Sequence, residues 1–407
     1  HYPRYEFDKK KFENIDFIYL SHIHPDHFSK KSFDFFDKKI PILIANYSSK
    51  FLKMNLERLG FNVIELDDKK PMKLKNNTYI NIISADFCNP ELCSKFHGCG
   101  IIESDYGSTQ IDSLCVIYDD KFSIVNTNDC PYELSKDSLN YIKSKHEKID
   151  FLLTGYAGAG PYPQCFDMDE YEKNKEAEKK KINFLQMGIN YINHLKPKFV
   201  LPFAGTYTLG GKYHILNNVR GVPDIEYAQD YFKNNISCDS DIILLNSNSF
   251  FDLETENASE KYIDNRNDKE KYIKEVLSKQ KYDYEYDKMP SLDDLKDLCN
   301  KSIKRYNQVK EKINFVSKTF IMIKISNNLW FTIDNYNNHH FTITNDELVN
   351  YDCFVSYELD FRLLFKILSG PRYAHWNNAE IGSHITFKRN PNVFERGLYY
   401  CMNFFHI

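Results

Sequence analysis

Several features that would assign a chain of this length to a familiar class are missing from the sequence. The 407 residues include ten cysteines, but no two of them form a C-x-x-C pair, which excludes a zinc ribbon and a thioredoxin-like redox motif. No stretch reaches the roughly 18 uninterrupted apolar residues that a membrane helix requires, and no signal-peptide pattern is visible. The sequence therefore predicts a cytoplasmic protein with no membrane span.

The sequence also lacks an excess of charge of either sign. Its 53 Lys and Arg residues are balanced by 57 Asp and Glu residues, so the net charge of −4 gives no electrostatic reason to expect nucleic-acid binding. Aromatic residues are abundant instead, with 29 Tyr and 31 Phe in a chain that is 42% hydrophobic. This length and composition predict two domains and a sizeable core.

Short apolar runs alternate with helical patterns from residue 15 to about residue 253. Nine runs are strand-like in length and in β-branched and aromatic content, namely 15–20, 40–47, 61–67, 78–84, 113–120, 121–127, 149–156, 198–203 and 241–246. Residues 48–60 and 170–195 are predicted helices, the second with an apolar stripe in its second half. Strands interleaved with helices indicate an α/β domain, which we place at residues 1–256.

The composition changes after residue 256. Residues 257–290 are rich in Lys, Asp, Glu, Asn and Tyr, and we interpret them as a solvated, partly helical connector. We predict a separate α+β domain at residues 291–407, whose pattern vaguely resembles sterol-carrier-like domains. Its predicted elements are a helix capped by Ser291, a hairpin around Asn327 and Asn328, a helix near 358–368, a strand near 384–388 and a helix near 392–404.

The run "SHIHPDH" places three histidines and one aspartate within six positions, directly after an apolar strand pattern. Alternate residues of a strand share a face, so His22 and His24 point the same way, whereas Asp26 and His27 follow a turn. Imidazole and carboxylate ligands suit Zn²⁺ and iron. The run therefore predicts a site for one or two divalent ions, with these four side chains as ligands.

This H-x-H-x-D-H motif resembles the hallmark of the metallo-β-lactamase superfamily, an αβ/βα sandwich with its metals at one edge. Three further blocks follow in order, "IVNTNDC" at 124–130, "YAGAGPYPQCF" at 156–166 and "LPFAGTY" at 201–207. The series is similar to the metallo-β-lactamase-like part of the CMP-N-acetylneuraminate hydroxylase family and related bacterial proteins. The resemblance implies that Asp129, which follows a strand pattern, bridges two metals, because a carboxylate can span two cations.

Two positions depart from the superfamily pattern. The region before Asp129 reads "ESDYGSTQIDSLC" and lacks the usual histidine, and Ala204 stands where the last superfamily histidine is expected. Asp105, Asp112 and His97 are candidates to replace the missing ligands. With fewer nitrogen and more carboxylate ligands, the predicted preference shifts from zinc toward iron or manganese.

The glycine-rich segment at 154–166 follows a strand pattern and contains neither G-x-G-x-x-G nor a P-loop. Its glycines allow the backbone to approach an anion such as the phosphate of a nucleotide sugar, although a tight turn packed under the site explains them equally well. The resemblance favours the substrate-facing alternative. The candidate contacts are Tyr156, Gly158, Gly160, Tyr162 and Gln164, together with His375 if the C-terminal domain folds over the metal edge.

Three functions are compatible with the sequence. In the first, a hydrolase acts on a nucleotide-sugar-like or other phosphorylated small molecule, with Asp26 or Asp129 orienting a metal-activated water. In the second, which the resemblance implies, the protein is an iron-dependent oxygenase. The chain lacks the C-x-H and C-x-x-H pairs of a Rieske cluster, so an oxygenase would need an electron-transfer partner, a further domain or a di-iron site. The third function is a non-catalytic metal-binding scaffold.

The start of the sequence leads to a prediction about what precedes it. The chain begins at His1 without a methionine, and only 21 residues precede His22. Members of the superfamily normally have a hairpin or more before the metal motif. We therefore expect that a natural N-terminal segment or domain precedes His1.

Overall fold

Two β-sheets lie at the centre of the N-terminal part of the chain. The computed structural model describes residues 8–24, 26–47, 50–85, 112–203, 206–334, 336, 338–344 and 351–407. The first sheet consists of three parallel strands in the order β1 (Ile18–Tyr19), β2 (Ile42–Ala45) and β3 (Val63–Leu66). The nine strands predicted for this part all form.

The second sheet contains seven strands and is mixed. They are β4 (Met72–Lys73), β5 (Tyr79–Ser84), β6 (Ser113–Tyr118), β7 (Ser123–Asn126), β8 (Phe151–Thr154), β9 (Phe199–Pro202) and β10 (Asp241–Ile242). Neighbours follow the order β10-β9-β8-β7-β6-β5-β4. Strands β4 to β7 pair antiparallel, whereas β7 to β10 pair parallel, so the carboxyl ends of β7, β8 and β9 meet at one edge.

Helices cover the outer face of each sheet and give the domain four layers. They are α1 (Lys30–Phe33) and α2 (Phe51–Arg58) on the first sheet, and α3 (Lys136–Lys145), α4 (Glu170–Leu195) and α5 (Ile225–Asn235) on the second. Because side chains alternate along β2, Ile42 and Ile44 face the helices, whereas Leu43 and Ala45 face the second sheet. Full burial of such an aliphatic side chain stabilises the fold by about 1.5–3 kcal/mol. The layer order is the predicted αβ/βα sandwich.

Helix α4 has the bounds that its sequence predicts. The side chain of Asp169 accepts a hydrogen bond from the backbone N–H of Glu172 and caps the first turn. Leu185, Ile189 and Ile192 form the buried stripe on the second sheet. The polar first half extends beyond the sheet and reaches the glycine-rich loop.

Residues 257–290 contain regular secondary structure and a side chain that is buried in a hydrophobic core. They begin in the hairpin of β11 (Phe251–Asp252) and β12 (Asn257–Ala258), and α6 (Arg266–Glu275) follows. Tyr284 is buried in the hydrophobic core of the C-terminal part of the chain. The domain boundaries at 256 and 290 stay predictions.

The C-terminal part is an α+β unit built on a five-stranded sheet. Its strands are β13 (Phe320–Lys324), β14 (Leu329–Ile333), β15 (His339–Ile343), β16 (Phe354–Glu358) and β17 (Thr386–Asn390), in the order β15-β14-β13-β16-β17. Its helices are α7 (Leu292–Lys312), α8 (Phe361–Leu368), α9 (Trp376–Ile381) and α10 (Arg396–Met402). Ser291 caps α7, and β13 and β14 form the predicted hairpin. The sequence does not predict β15 and β16, and β15 is an edge strand without an alternating apolar face. Within the described ranges, no helix combines the length and the apolar composition that crossing a bilayer requires.

The glycine-rich loop joins the two parts of the chain. The backbone N–H of Phe387 in β17 donates to the carbonyl of Cys165 at 2.8 Å, and the N–H of Asp167 donates to the carbonyl of Phe387 at 2.7 Å. The Phe166 and Phe387 rings stack with centroids 5.1 Å apart. Cys165 and Phe166 therefore belong to the C-terminal core, although the sequence places them in the N-terminal domain.

Candidate metal centre

The histidine cluster lies where the chain leaves β1. The backbone N–H groups of His27 and Phe28 both donate to the carbonyl of His24, at 3.0 and 2.7 Å, which forms a tight turn. The turn brings His27 back against His22, with ring centroids 4.2 Å apart. The His22 side chain is fully buried, whereas that of His27 is 21% exposed. The predicted strand exit therefore produces a compact group of imidazoles.

Asp129 approaches the same point from the second sheet. Its Oδ2 lies 3.6 Å from Nε2 of His22 and 3.4 Å from Nε2 of His27. One ligand atom from each of these three side chains lies within 4.8 Å of the others. Two imidazole nitrogens and a carboxylate oxygen at this spacing fit a divalent ion.

Two further members of the predicted ligand set border this group. Nδ1 of His24 lies 2.9 Å from Nε2 of His22, so His24 faces the same space. Asp26 is more peripheral, with Oδ2 3.9 Å from Nε2 of His27 and a side chain that is 62% exposed. The sequence motif is thus assembled around one point, with Asp26 at its outer rim.

Asp112 lies on the opposite side of His22 from Asp129. Its Oδ1 is 3.2 Å from Nδ1 of His22 and also accepts a hydrogen bond from the backbone N–H of Ser113. A carboxylate that accepts the Nδ1 proton leaves the lone pair on Nε2, the nitrogen that faces Asp129. That Asp112 is a metal ligand stays a prediction, and in the structure its Oδ1 contacts the ring nitrogen of His22 that faces away from Asp129.

Ser21 and Asn128 are two supporting residues that sequence reasoning missed. The Ser21 hydroxyl lies 2.9 Å from Nδ1 of His22 and 3.1 Å from Nδ1 of His27, so it contacts both rings on the side away from Asp129. Asn128 has φ +47° and donates through Nδ2 to the Tyr19 hydroxyl at 2.8 Å. The sequence did carry a signal for both residues, because Ser21 directly precedes His22 and Asn128 directly precedes Asp129.

The charges of the site are mutually dependent. Burial opposes ionisation of Asp129, but its contact with His27 and the nearby imidazoles outweigh burial and lower the pKa of Asp129. Burial also acts to lower the pKa of His27, but the Asp129 contact outweighs it and raises that pKa. Burial and then His22 lower the pKa of His24. Asp129 therefore remains a carboxylate, and His24 favours the neutral form that binds metals.

The glycine-rich loop leaves the strand next to the one that carries Asp129. The backbone N–H of Thr127 donates to the carbonyl of Leu153 at 3.0 Å, which aligns the ends of β7 and β8. A Cβ on Gly155 would lie 4.0 Å from the carbonyl oxygen of Asn128. The loop therefore begins beside the metal centre.

The predicted substrate contacts in this loop are largely packed against protein. A Cβ on Gly158 would meet the Phe184 ring at 2.1 Å, so this glycine packs closely against a side chain of α4. Tyr156 and Gln164 are 3% and 1% exposed. The Tyr162 hydroxyl donates to Glu176 at 2.9 Å.

Gly160 differs from these residues because it has φ +142° and a Cβ added to it would meet no described atom within 4 Å. Its carbonyl accepts a hydrogen bond from Nε2 of Gln164. His375 caps α9 by accepting from the backbone N–H of Asn377 at 3.2 Å. Ser383 of the C-terminal part also contacts the loop, because its hydroxyl accepts from Gln164 at 3.1 Å. The alternative ligand candidates Asp105 and His97, and also Ala204, lie outside the described residues.

Comparison with known proteins agrees with the motif series. No protein-family model matches the sequence. The chain is 27% identical over 203 residues to cytidine monophosphate-N-acetylneuraminic acid hydroxylase of Danio rerio, covering 47% of this chain and 30% of the relative. It is 25% identical over 194 residues to a Mycobacterium tuberculosis protein provisionally named a Rieske 2Fe-2S iron-sulfur protein, covering 47% and 34%. The matched region thus spans about a third of the length of these relatives.

Solved structures give a more distant likeness. The metallo-β-lactamase fold protein YhfI from Bacillus subtilis is 14% identical with a TM-score of 0.32, covering 57% of this chain and 76% of that protein. CmlA, a diiron β-hydroxylase from Streptomyces venezuelae, is 13% identical with a TM-score of 0.36, covering 57% and 44%. The fold has the αβ/βα layer order predicted from the metallo-β-lactamase superfamily, with the histidine motif at the exit of β1. The predicted sequence resemblance to the hydroxylase is also confirmed.

Proposed function

We propose that the chain is part of an enzyme that uses one or two divalent ions to hydrolyse a small phosphorylated molecule such as a nucleotide sugar. The observation that supports the proposal is the convergence of His22, His27 and Asp129 from two separate sheets. Catalytic zinc sites combine three protein ligands with one open position. The Asp129 side chain is 43% exposed, so this group of ligands opens to solvent on one side.

A bound ion would supply a Lewis acid that lowers the pKa of water and polarises a substrate oxygen. The chain's own residues prepare the site for it. Asp129 offers a charged oxygen that offsets the positive charge, because its pKa is lowered. Asp112 fixes the His22 ring through Nδ1, and the exposed carboxylate of Asp26 is placed to accept a proton at Oδ2.

The substrate side of the site is assigned to the loop that follows β8. The loop begins at Gly155 beside Asn128, and a Cβ added at Gly160 would meet no described atom within 4 Å. An extended substrate with its reacting group near Asp129 would therefore run along residues 155–164. In this proposal the buried side chains of Tyr156 and Gln164 shape the loop from below.

Oxidation by an iron centre is the second candidate. Two histidines and one carboxylate with open positions are also the ligand set of non-haem iron oxygenases. The sequence match to a hydroxylase favours this alternative. An oxygenase would in addition need an electron donor on another domain or chain.

Metal analysis of the protein, produced without added zinc, tests both candidates. We expect one or two ions per chain, with zinc supporting hydrolysis and iron supporting oxidation. The variant carrying both His22→Ala and His27→Ala should lose the metal. The matched control His194→Ala should keep it, because His194 contacts Tyr132 and Asn140 far along the chain from the motif. Full metal retention in the double variant would contradict the site. Metal without turnover on phosphodiesters and nucleotide sugars would favour a scaffold.

A further inference from the structure

Two cationic side chains meet behind the glycine-rich loop. Arg220 ends the 3-10 helix at Gly211–Val219, and the next residue, Gly221, has φ +66°. A Cβ on Gly221 would lie 2.6 Å from the carbonyl oxygen of Ala177 and 3.1 Å from Cβ of Lys180. Only glycine therefore allows this turn to press against α4, and the turn brings Arg220 near enough for its charge to act on Lys180.

Arg220 is buried without an acidic partner among the described residues. The residue is 5% exposed, and its guanidinium carbon lies 5.0 Å from the centroid of the Tyr207 ring. Nε donates to the carbonyl of Asn217 at 3.3 Å. Within the described parts of the chain, Nη1 is buried and has no hydrogen-bond partner. An arginine in this state retains a buried donor whose hydrogen-bonding capacity is not satisfied by the described residues.

Lys180 also has no acidic partner in the part of the chain that the structure describes. Its Nζ donates to the carbonyl of Tyr162 at 2.9 Å, which uses one of three N–H donors. Burial and then the charge of Arg220 lower the pKa of Lys180 to about 8. The residue as a whole is partly exposed.

The neighbouring carboxylates are already paired with other groups. Asp224 accepts from Lys269 at 3.0 Å, and Glu226 accepts from the Tyr262 hydroxyl at 2.6 Å. Glu176 accepts from Tyr162. Burial lowers the pKa of Arg220, and the opposing effects of Tyr207 and Asp224 do not offset it. Two neighbouring buried cations are costly unless an anion joins them.

We propose that Arg220 and Lys180 bind an oxyanion, the phosphate or carboxylate group of a small molecule that lies along the glycine-rich loop. Arginine offers paired donors that match the oxygens of either group, and lysine adds a point charge. Tyr207 connects the pair to the loop, because its ring contacts Arg220 and its hydroxyl accepts from Gln164 at 3.1 Å. This deepens the proposed function by naming where the substrate's anionic group binds, and it rests on that function only for the identity of the molecule.

Anion titrations of the unaltered protein test the proposal. Inorganic phosphate and acetate serve as separate probes for the two oxyanion classes, and binding is followed by calorimetry. We expect saturable binding of at least one probe, weakened at least about tenfold by Arg220→Gln and by Lys180→Gln, since each removes a charge-assisted hydrogen bond. The control Lys181→Gln should bind as the unaltered protein does, because Lys181 pairs with Glu178 at 2.6 Å.

The outcomes separate this site from the metal centre. The double variant at His22 and His27 should lose metal but still bind the anion. Anion binding that disappears in that variant and persists in Arg220→Gln and Lys180→Gln would overturn the proposal, as would the absence of binding by both probes. If Arg220→Gln does not fold, the Lys180→Gln variant still tests the proposal, because Lys180 is a partly exposed residue. Normal metal content with unchanged anion affinity in Lys180→Gln would refute the anion site while leaving the proposed function standing.

Discussion

Nε2 of His27 lies 3.4 Å from Oδ2 of Asp129, although the two residues leave different β-sheets. His27 follows β1 in the three-stranded sheet, and Asp129 follows β7 in the seven-stranded sheet. The contact therefore depends on the packing of Leu43 and Ala45 against Ile80 and Ile82 between the sheets. A metal held there would bind the two sheets together as well as supply chemistry.

The first prediction concerns Asp112, which contacts Nδ1 of His22. Asp112→Asn keeps a side-chain oxygen but removes the charge beside Nδ1 of His22. We expect the metal Kd to rise about tenfold to a hundredfold, because outer partners of metal-binding histidines typically contribute that much. Chelator competition measures the Kd. The exposed Asp120→Asn serves as the control, and an unchanged Kd in Asp112→Asn would show that His22 is oriented without Asp112.

The second prediction compares two glycines with positive φ. At Gly60 (φ +87°) a Cβ meets no atom within 4 Å, whereas at Gly221 it meets the carbonyl oxygen of Ala177 at 2.6 Å. Gly60→Ala should cost about 1 kcal/mol of unfolding free energy from backbone strain alone. Gly221→Ala should cost more and also weaken phosphate binding, because the turn that carries Arg220 must move. Urea denaturation and calorimetry measure the two effects, and equal losses in both variants would contradict the close-approach argument.

The third prediction concerns the pH dependence of anion binding. Since the pKa of Lys180 is lowered to about 8, its positive charge is present at pH 7 and largely lost at pH 9. Burial raises the pKa of the nearby Cys165 thiol to about 11 and that of Tyr207 to about 12, so neither titrates in this range.

Sulfate keeps a constant charge over this pH range and is therefore the suitable probe. We expect its affinity to fall from pH 7 to pH 9 in the unaltered protein. Lys180→Gln should bind weakly at both values with little pH dependence. If the sulfate affinity of Lys180→Gln fell equally steeply from pH 7 to pH 9, the titrating group would not be Lys180.

The fourth prediction concerns a buried carboxyl in the C-terminal domain. Burial raises the pKa of Glu380 to about 8, and its Oε1 has no hydrogen-bond partner in the described structure. A raised folded pKa means that stability is fully present below the usual value of 4.5 and is lost as the pH rises toward 8.

The side chain of the Glu380→Gln variant cannot ionise. At pH 8 the free energy of unfolding of this variant should therefore exceed that of the unaltered protein by at least about 1 kcal/mol. The difference from the unaltered protein should shrink as the pH approaches 4.5. Urea denaturation at several pH values measures it, with the exposed Glu311→Gln as control. A constant difference at all pH values would show that the carboxyl of Glu380 is not neutral in the folded protein.

Local patterns in the sequence were sufficient for most elements and for the ligand-rich turn. Helix α4 begins and ends at its predicted residues because an Asp cap, a periodic apolar stripe and Pro197 are all local signals. His22, His24 and His27 converge because one strand exit and one turn place them together. Strand β15 was missed because an exposed edge strand carries no alternating apolar pattern.

The sequence by itself determined the fold class and one half of the proposed metal centre, since both depend on residues close together in the chain. The tertiary structure decided that Nε2 of His22 faces Asp129, because Asp112, which is distant in the chain, contacts Nδ1 of the same ring. It also decided that Arg220 meets Lys180, which is 40 positions earlier in the chain. Such contacts arise only when sheets and helices pack, so no local pattern encodes them.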